Sequence, residues 1–252
     1  MLKRRNLSEL RNIFTLRASL FDMKRSVGFL AMMLLVGCKT AQVGETRREL
    51  AEFELDKSEV TRVELRMSAG ELAVKGGSSK LAEAEFTYNV PDWKPKAEYH
   101  STGSRGDLVI SQPEAANGIG DTKNRWDLRL NDSVMVDLSV RFGAGEATLD
   151  LASMNLRGVD VQMGAGELKL DLRGHPKRSY DVRVQGGVGE ATIYLPRDVG
   201  ISARAEGGIG EISTKGLEER NGRWVNASQE NSPVTIRLDV KGGVGQINLI
   251  AE

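Results

Sequence analysis

Six times the chain places a small-residue corner between two stretches of alternating hydrophobicity. The copies read Ser68-Ala69-Gly70-Glu71, Gly143-Ala144-Gly145-Glu146, Gly164-Ala165-Gly166-Glu167, Gly187-Val188-Gly189-Glu190, Gly208-Ile209-Gly210-Glu211 and Gly243-Val244-Gly245-Gln246. From Glu146 to Glu211 the corner acids are 21, 23 and 21 residues apart. A period near twenty residues belongs to stacked structural units and not to one globular enzyme core.

The hydrophobic phase shifts by one residue at each corner. Val136, Leu138, Val140, Phe142 and Ala144 alternate on even numbers, while Ala147, Leu149 and Leu151 continue on odd ones. The next copy runs from Val159, Val161, Met163 and Ala165 to Leu168, Leu170 and Leu172. Alternation means a half-buried strand, and a slip of one would turn the following strand inside out. The Gly-Glu pair is therefore a bend or bulge that spends two consecutive residues outside. Gly70, Gly145, Gly166, Gly189, Gly210 and Gly245 suit that corner because glycine tolerates positive φ. The residue before each (Ala69, Ala144, Ala165, Val188, Ile209, Val244) is small or β-branched, which predicts an inward side chain. The fold expected is all-β: a single-stranded parallel β-helix of about 21–23-residue coils, stacked about 4.8 Å apart. A dinucleotide-binding reading of the Gly-x-Gly pairs fails, because that fingerprint needs a third glycine and a following helix, and here a strand follows.

Ahead of the repeats, Lys24 and Arg25 precede an apolar run, Val27–Val36, and the tetrad Leu35-Val36-Gly37-Cys38. This has the form of a secretory signal ending in a lipobox, and it resembles bacterial lipoproteins, in which the cysteine is diacylated and becomes the first mature residue. Ten apolar residues are too few to span a bilayer about 30 Å thick, which needs about 20. Cys38 is the sole cysteine, so no intrachain disulfide forms. By the same resemblance, Lys39 in place of an aspartate retention signal directs the chain to the outer membrane of a two-membrane host. Residues 1–22 precede this signal, which points to Met23 as the true start; the alternative is a long basic leader.

The organisation expected is a signal region at 1–37, a lipid-anchored polar tether at 38–58, with room for a short opening strand at Glu52–Leu55, and a repeat domain at 59–252. The chain holds 35 basic and 35 acidic residues, but residues 1–25 take seven of the basic and two of the acidic ones. What remains is mildly acidic, with no electrostatic footprint for nucleic acid and no basic patch for anionic lipid, so membrane contact runs through the acyl group on Cys38.

Three interruptions of the repeat carry the three tryptophans: Trp93, Trp126 and Trp224. Insertions in repeat proteins form loops on one face, often the binding face, which makes these the candidate binding loops; the alternative is that the rings seal coil ends. Arg105-Gly106-Asp107 spells an integrin-binding tripeptide, but Gly106-Asp107 is read as a degenerate corner with Arg105 in the inward slot. Asn226-Ala227-Ser228 is a glycosylation sequon by pattern alone.

In-register stacking would bring Glu146, Glu167, Glu190 and Glu211 into a column about 4.8 Å apart, with Arg141 and Lys169 as counter-charge. Calcium prefers such oxygen ligands, but no calcium-binding nonapeptide is present, so neither metal nor cofactor is assigned. His100 and His175 are isolated, there is no serine elbow, and aromatic residues are 5% of the chain, few for sugar-binding platforms. No catalytic residue is assigned.

Three separated phrases, Val63–Leu72, Phe86–Pro95 and Trp126–Asp132, followed by the Gly-Ala-Gly-Glu copies, resemble the bacterial toast-rack N-terminal domain family. The match is close over roughly residues 60–175, and the rest continues as in related adhesin domains. The resemblance implies a β-helical envelope domain, with relatives among surface adhesins and envelope stress proteins, and no catalytic residues to carry over. The function expected is a non-enzymatic binding or scaffold module, in adhesion or envelope sensing, with a protein partner or self-association; the alternative is a glycan-binding or carbohydrate-active β-helix with a polysaccharide partner. A last expectation concerns the C-terminus. The chain stops at Glu252 directly after a strand, which would leave an uncovered terminal coil open to another chain.

Overall fold

The computed structural model describes residues 40–113, 117–118 and 120–252; the signal region, Met23, Cys38 and Lys39 lie outside them. In chain order the strands are β1 (Thr40–Ala41), β2 (Arg47–Phe53), β3 (Val60–Lys75), β4 (Ala82–Tyr88), β5 (Lys96–Thr102), β6 (Arg105–Ser111), β7 (Asn117–Gly118), β8 (Asn124–Leu130), β9 (Met135–Asp150), β10 (Asn155–Asp171), β11 (Tyr180–Leu195), β12 (Gly200–Lys215), β13 (Glu218–Arg220), β14 (Arg223–Val225) and β15 (Thr235–Ala251). The described helix is one 3₁₀ turn, Pro91–Trp93. Thirteen strands share one sheet, and β1 pairs with β7 apart from it.

The six long strands β3, β9, β10, β11, β15 and β12 lie side by side in that order and pair in parallel. Burial along β9 follows the phase shift read from the sequence: Val136, Leu138, Val140 and Phe142 before the corner, Ala147 and Leu149 after it. In β3, β9, β10, β11 and β15 both halves bury the same face of one sheet, so the sheet must fold over on itself at the corners and enclose its own core. Leu65, Leu149, Leu170, Ile193, Leu238 and Leu249 are fully enclosed there, each worth about 1.5–3 kcal/mol relative to exposure.

The stack does not follow chain order. β15 inserts between β11 and β12. The C-terminal strand is therefore covered on both edges, the amide of Glu252 donates to the Leu195 carbonyl, and the Glu252 carboxylate meets Arg173. The uncovered coil expected at the C-terminus belongs instead to β12. Residues 216–234, which hold the hairpin β13–β14, carry the chain back one rung to make this possible.

At the other end the arrangement departs from a purely parallel coil. Below β3, two strands share the work of one: β6 pairs in parallel with Val60–Arg66, and β8 pairs in parallel with Glu71–Lys75. β5 adds antiparallel to β6, β4 antiparallel to β8, and β2 antiparallel to β4, so the sheet is mixed. Residues 47–53, assigned to the tether on composition, are paired strand. Gly106-Asp107 sits beside Thr61 and Arg62 at the start of a strand, not at a corner, and Arg105 is exposed. Gly106 is needed for a different reason: a Cβ there would meet the Tyr99 hydroxyl at 2.5 Å and the Thr61 hydroxyl at 2.9 Å.

Candidate functional site

The repeated corner is the most regular feature of the surface. Gly70, Gly145, Gly166, Gly189, Gly245 and Gly210 stack in register, each with φ between 124° and 143°. A Cβ on Gly166 would stand 1.9 Å from the Gly145 carbonyl oxygen, and one on Gly189 1.8 Å from that of Gly166. A second glycine column, Gly143, Gly164, Gly187, Gly243 and Gly208, meets the same obstacle at 2.1–2.4 Å. Ser68 heads that column. It has no long strand beneath it, which is why a side chain fits at this one copy.

Where the next corner is missing, side chains stand in for backbone. The Gln112 Oε1 accepts the Ser68 amide at 2.9 Å, and the Asn124 Nδ2 donates to the Ala69 carbonyl at 2.7 Å. Asn124 also accepts from the Trp126 indole at 3.1 Å. Trp126 is fully buried on β8, edge-on to Phe86 with 5.4 Å between ring centres; its ring is part of the core. Trp224 packs on the core from β14 beside Ala203, and Trp93, half-buried, ends the 3₁₀ turn. The structure does not bring the three rings together on one sheet edge: β8 lies at one end of the stack and β14 at the other.

The middle residue of each corner does not point inward. Ala144, Ala165, Val188, Val244 and Ile209 are all exposed and stack as an apolar stripe, with Ala69 half-buried at its head. Four consecutive residues are thus outside at a corner such as Gly143–Glu146, not two. Inside, Met67, Phe142 and Met163 fill the first three corners, but Gly186, Gly242 and Gly207 occupy the equivalent places in the last three. Ile247 and Ile212 lean into that space; a Cβ on Gly242 would meet the Ile247 Cδ1 at 3.1 Å.

Before the corner, Arg66, Arg141, Gln162, Gln185, Lys241 and Glu206 form an outward ladder in register. Between its head and the glycines lies a shallow depression lined by Arg66, Gln112, Arg141, Gln162 and Gln185 over Gly143, Gly164 and Gly187. Glycines make up much of the lining, beside Met67, Phe142 and Met163, and the rim offers amide and guanidinium groups, so backbone or hydroxyl groups of an extended ligand could approach closely. Glu64 underlies one end. It is 2% exposed and takes Arg66 at 2.7 Å, Arg62 at 3.0 Å and Arg141 at 3.3 Å. The hydrogen bond from Arg66 holds its carboxyl below the usual glutamate range, against the opposing effect of burial.

The acid column runs Glu71, Glu146, Glu167, Glu190, Gln246, Glu211. Because β15 is inserted, the one glutamine separates Glu190 from Glu211. Arg125 pairs with Glu71 at 3.1 Å, Lys169 with Glu167 at 2.8 Å, and the Asn248 amide donates to Glu190 at 2.8 Å. Arg141, read as counter-charge for the column, is spent on Glu64. No group of three or more His, Cys, Asp or Glu among the described residues is placed to hold a metal ion. Nor is any described helix long and apolar enough to cross a membrane.

Long parallel strands that turn together on one glycine column define a repeat-built all-β protein. The family model described as the N-terminal domain of toast_rack, DUF2154, matches residues 42–194, and the chain belongs to that family. A second model, cell wall-active antibiotics response LiaF, C-terminal, matches residues 144–249. Among solved structures, a "putative cell adhesion protein" from Clostridium sporogenes ATCC 15579 is 32% identical with a TM-score of 0.80, covering 82% of this chain and 100% of its own. A "putative adhesin" from Bacteroides fragilis NCTC 9343 aligns at 10% identity and a TM-score of 0.32, over 82% of this chain and 99% of its own, too distant to carry an argument. No curated protein matches.

Proposed function

We propose that this chain is an exported envelope protein, anchored by an acyl group on Cys38, whose stacked strands serve as coils of a β-helical binding or scaffold module and not as an enzyme. The observation that carries the reading is the repetition of the corner surface. A catalytic centre is a single constellation, whereas here glycine floor, small or β-branched apolar stripe and carboxylate or amide recur rung after rung, as in an extended contact surface of a repeat protein. The similarity to a protein titled for cell adhesion and to the LiaF C-terminal model supports an envelope setting. With Lys39 after the anchor, the destination is the outer membrane if the host has two.

Two measurements test it. Metabolic labelling with palmitate should mark the wild-type chain and fail on Cys38→Ala, which should also leave the membrane fraction; an unlabelled wild type overturns the anchor. Cross-linking in the native envelope followed by mass spectrometry should capture one reproducible protein. Glycan adducts without a protein would replace the scaffold reading by the polysaccharide one.

A further inference from the structure

The described chain enters on the corner side of the stack. β6 ends and β8 begins at the base of the glycine column, where a Cβ on Gly70 would stand 2.0 Å from the Asn124 carbonyl oxygen. β7 lies between those two strands in the chain and pairs with β1. The Gly44 amide donates to the Asn89 carbonyl at 2.7 Å, and the Asn89 amide to the Lys123 carbonyl at 3.1 Å. Residues 40–44 are thus tied to the foot of the corner ridge. The segments that carry the chain from one rung to the next, such as 172–179, join the strand ends opposite the corner. Cys38 precedes Thr40 by two residues, a reach of at most about 7 Å, comparable to the headgroup layer of one leaflet, about 5–8 Å.

Along the ridge, apolar bulk grows with distance from that foot. Ala69, Ala144 and Ala165 give way to Val188, Val244 and Ile209, which are 55%, 46% and 74% exposed. A contiguous line of exposed branched apolar side chains marks a contact surface. The charges beside it are mixed, Lys241 and Glu206 before the corner and Glu190 and Glu211 after it, so apolar burial and not charge would hold that contact. Nearer the foot, Arg66 and Arg141 flank the ridge on one side, with guanidiniums of the kind that donate to phosphate; on the other, Glu71 and Glu167 have counter-charges in Arg125 and Lys169. Five rung steps separate β3 from β12, about 24 Å. The entry point and the bulky apolar line therefore stand at opposite ends of one edge.

We infer that the corner ridge of the anchored chain lies along the bilayer surface, with the acyl group on Cys38 at its foot and Val188, Val244 and Ile209 set into the interface at its far end. The inference rests on the anchor proposed above and names lipid as what the corner edge meets, leaving the outer faces of the two arms to a protein partner. Lipid is the occupant because two residues of tether cannot hold the foot of the ridge away from the headgroups. The acyl group alone would fix one end of the edge; the apolar line fixes the other. The stack then lies flat, with its axis in the membrane plane and the segments opposite the corner turned to water. A stack standing upright on its acylated end would instead hold Ile209 about 24 Å farther from the membrane than the foot.

Depth-dependent fluorescence on the full lipidated chain in phosphatidylcholine vesicles tests the orientation. An environment-sensitive thiol dye is attached to Ala144→Cys, Ile209→Cys or His175→Cys, three positions exposed in the single chain; Cys38, occupied by lipid, does not take it. In vesicles with brominated acyl chains the dyes at positions 144 and 209 should be blue-shifted and quenched, as expected of groups about 5–10 Å into the headgroup and acyl boundary. The dye at position 175, opposite the corner, should be neither. Val188→Lys with Val244→Lys should abolish the quenching at position 209 and leave the chain in the membrane fraction. Circular dichroism confirms the fold of that variant, and if it misfolds the three single-site dyes decide alone. Quenching at position 144 without quenching at position 209 means an upright stack and overturns the inference. A blue shift at position 209 without quenching means that protein covers the ridge, and quenching there that survives the two lysines removes the apolar line as its cause; either overturns it. A chain that takes up no palmitate overturns the anchor and this orientation with it, whereas a palmitate-labelled chain unquenched at position 209 overturns the orientation alone.

Discussion

Gly166→Ala measures how strictly the corner column dictates the fold. Gly166 lies in the middle of the stack with φ of 125°, a region nearly closed to residues with a Cβ, and holding alanine there costs about 1–3 kcal/mol. The added methyl would also stand 1.9 Å from the Gly145 oxygen and 2.9 Å from its carbon, where ordinary contact begins near 3.4 Å. Neither atom is the free end of a side chain. Both belong to backbone fixed by the β9–β10 ladder, so relief requires the rungs to part or a carbonyl to rotate out of its hydrogen bond, at about 1–3 kcal/mol more. The sum is about 4 kcal/mol, or roughly 8–16 °C in Tm for a unit of this size. Gly77→Ala is the control, because Gly77 has φ of 95° but nothing within 4 Å of its Cβ position; it should lose only the backbone part, about 1–3 kcal/mol. Urea unfolding followed by far-ultraviolet circular dichroism and by the fluorescence of buried Trp126 compares them. Equal losses in the two variants would refute the argument that rung-to-rung contact, and not backbone conformation alone, excludes side chains from the column.

Asn124→Ala should cost about 2–3 kcal/mol, since it strips the Ala69 carbonyl of its donor and orphans a buried indole N–H; a shift in Trp126 emission should accompany the loss. The folded-state pKa of Glu64 is depressed, so its stabilisation is complete above the ordinary glutamate value of 4.5 and fades as pH falls through the lower folded value. Glu64→Gln should therefore lower stability at neutral pH by about 2 kcal/mol, given hydrogen bonds to charged groups and arginines half in solvent, and should flatten the acid limb of the stability–pH curve; an unchanged limb would remove Glu64 as its source. Gln246→Glu would complete an unbroken acid column, and a loss of about 0.5 kcal/mol at low salt that shrinks at high salt is expected from screened repulsion. Equilibrium unfolding at two salt concentrations tests it.

What could be read from residue order alone was everything periodic. Alternation and its one-residue slip located the inward face of β9 and β10, because side chains on a strand change sides at every residue and a corner that breaks the count leaves a trace in the hydrophobic pattern. The glycines with positive φ were legible for the same reason: only one residue type adopts that backbone freely. Residue order could not say which rung lies on which. Copies of one motif have nearly equal affinity for each other, so the placement of β15 between β11 and β12, and with it the free edge at Ile209 and the glutamine that splits the acid column, depended on how residues 216–234 route the chain through space. The outward turn of Ala144, Val188 and Ile209 was hidden too, since a small or β-branched side chain fits either face and the choice is made by backbone curvature at a bend. The division of the first rung between β6 and β8 was decided likewise by packing, where Gln112 and Asn124 satisfy a corner whose neighbouring backbone is absent. Periodicity is a local property of the chain; rung order and open edges are properties of contacts between segments far apart in it.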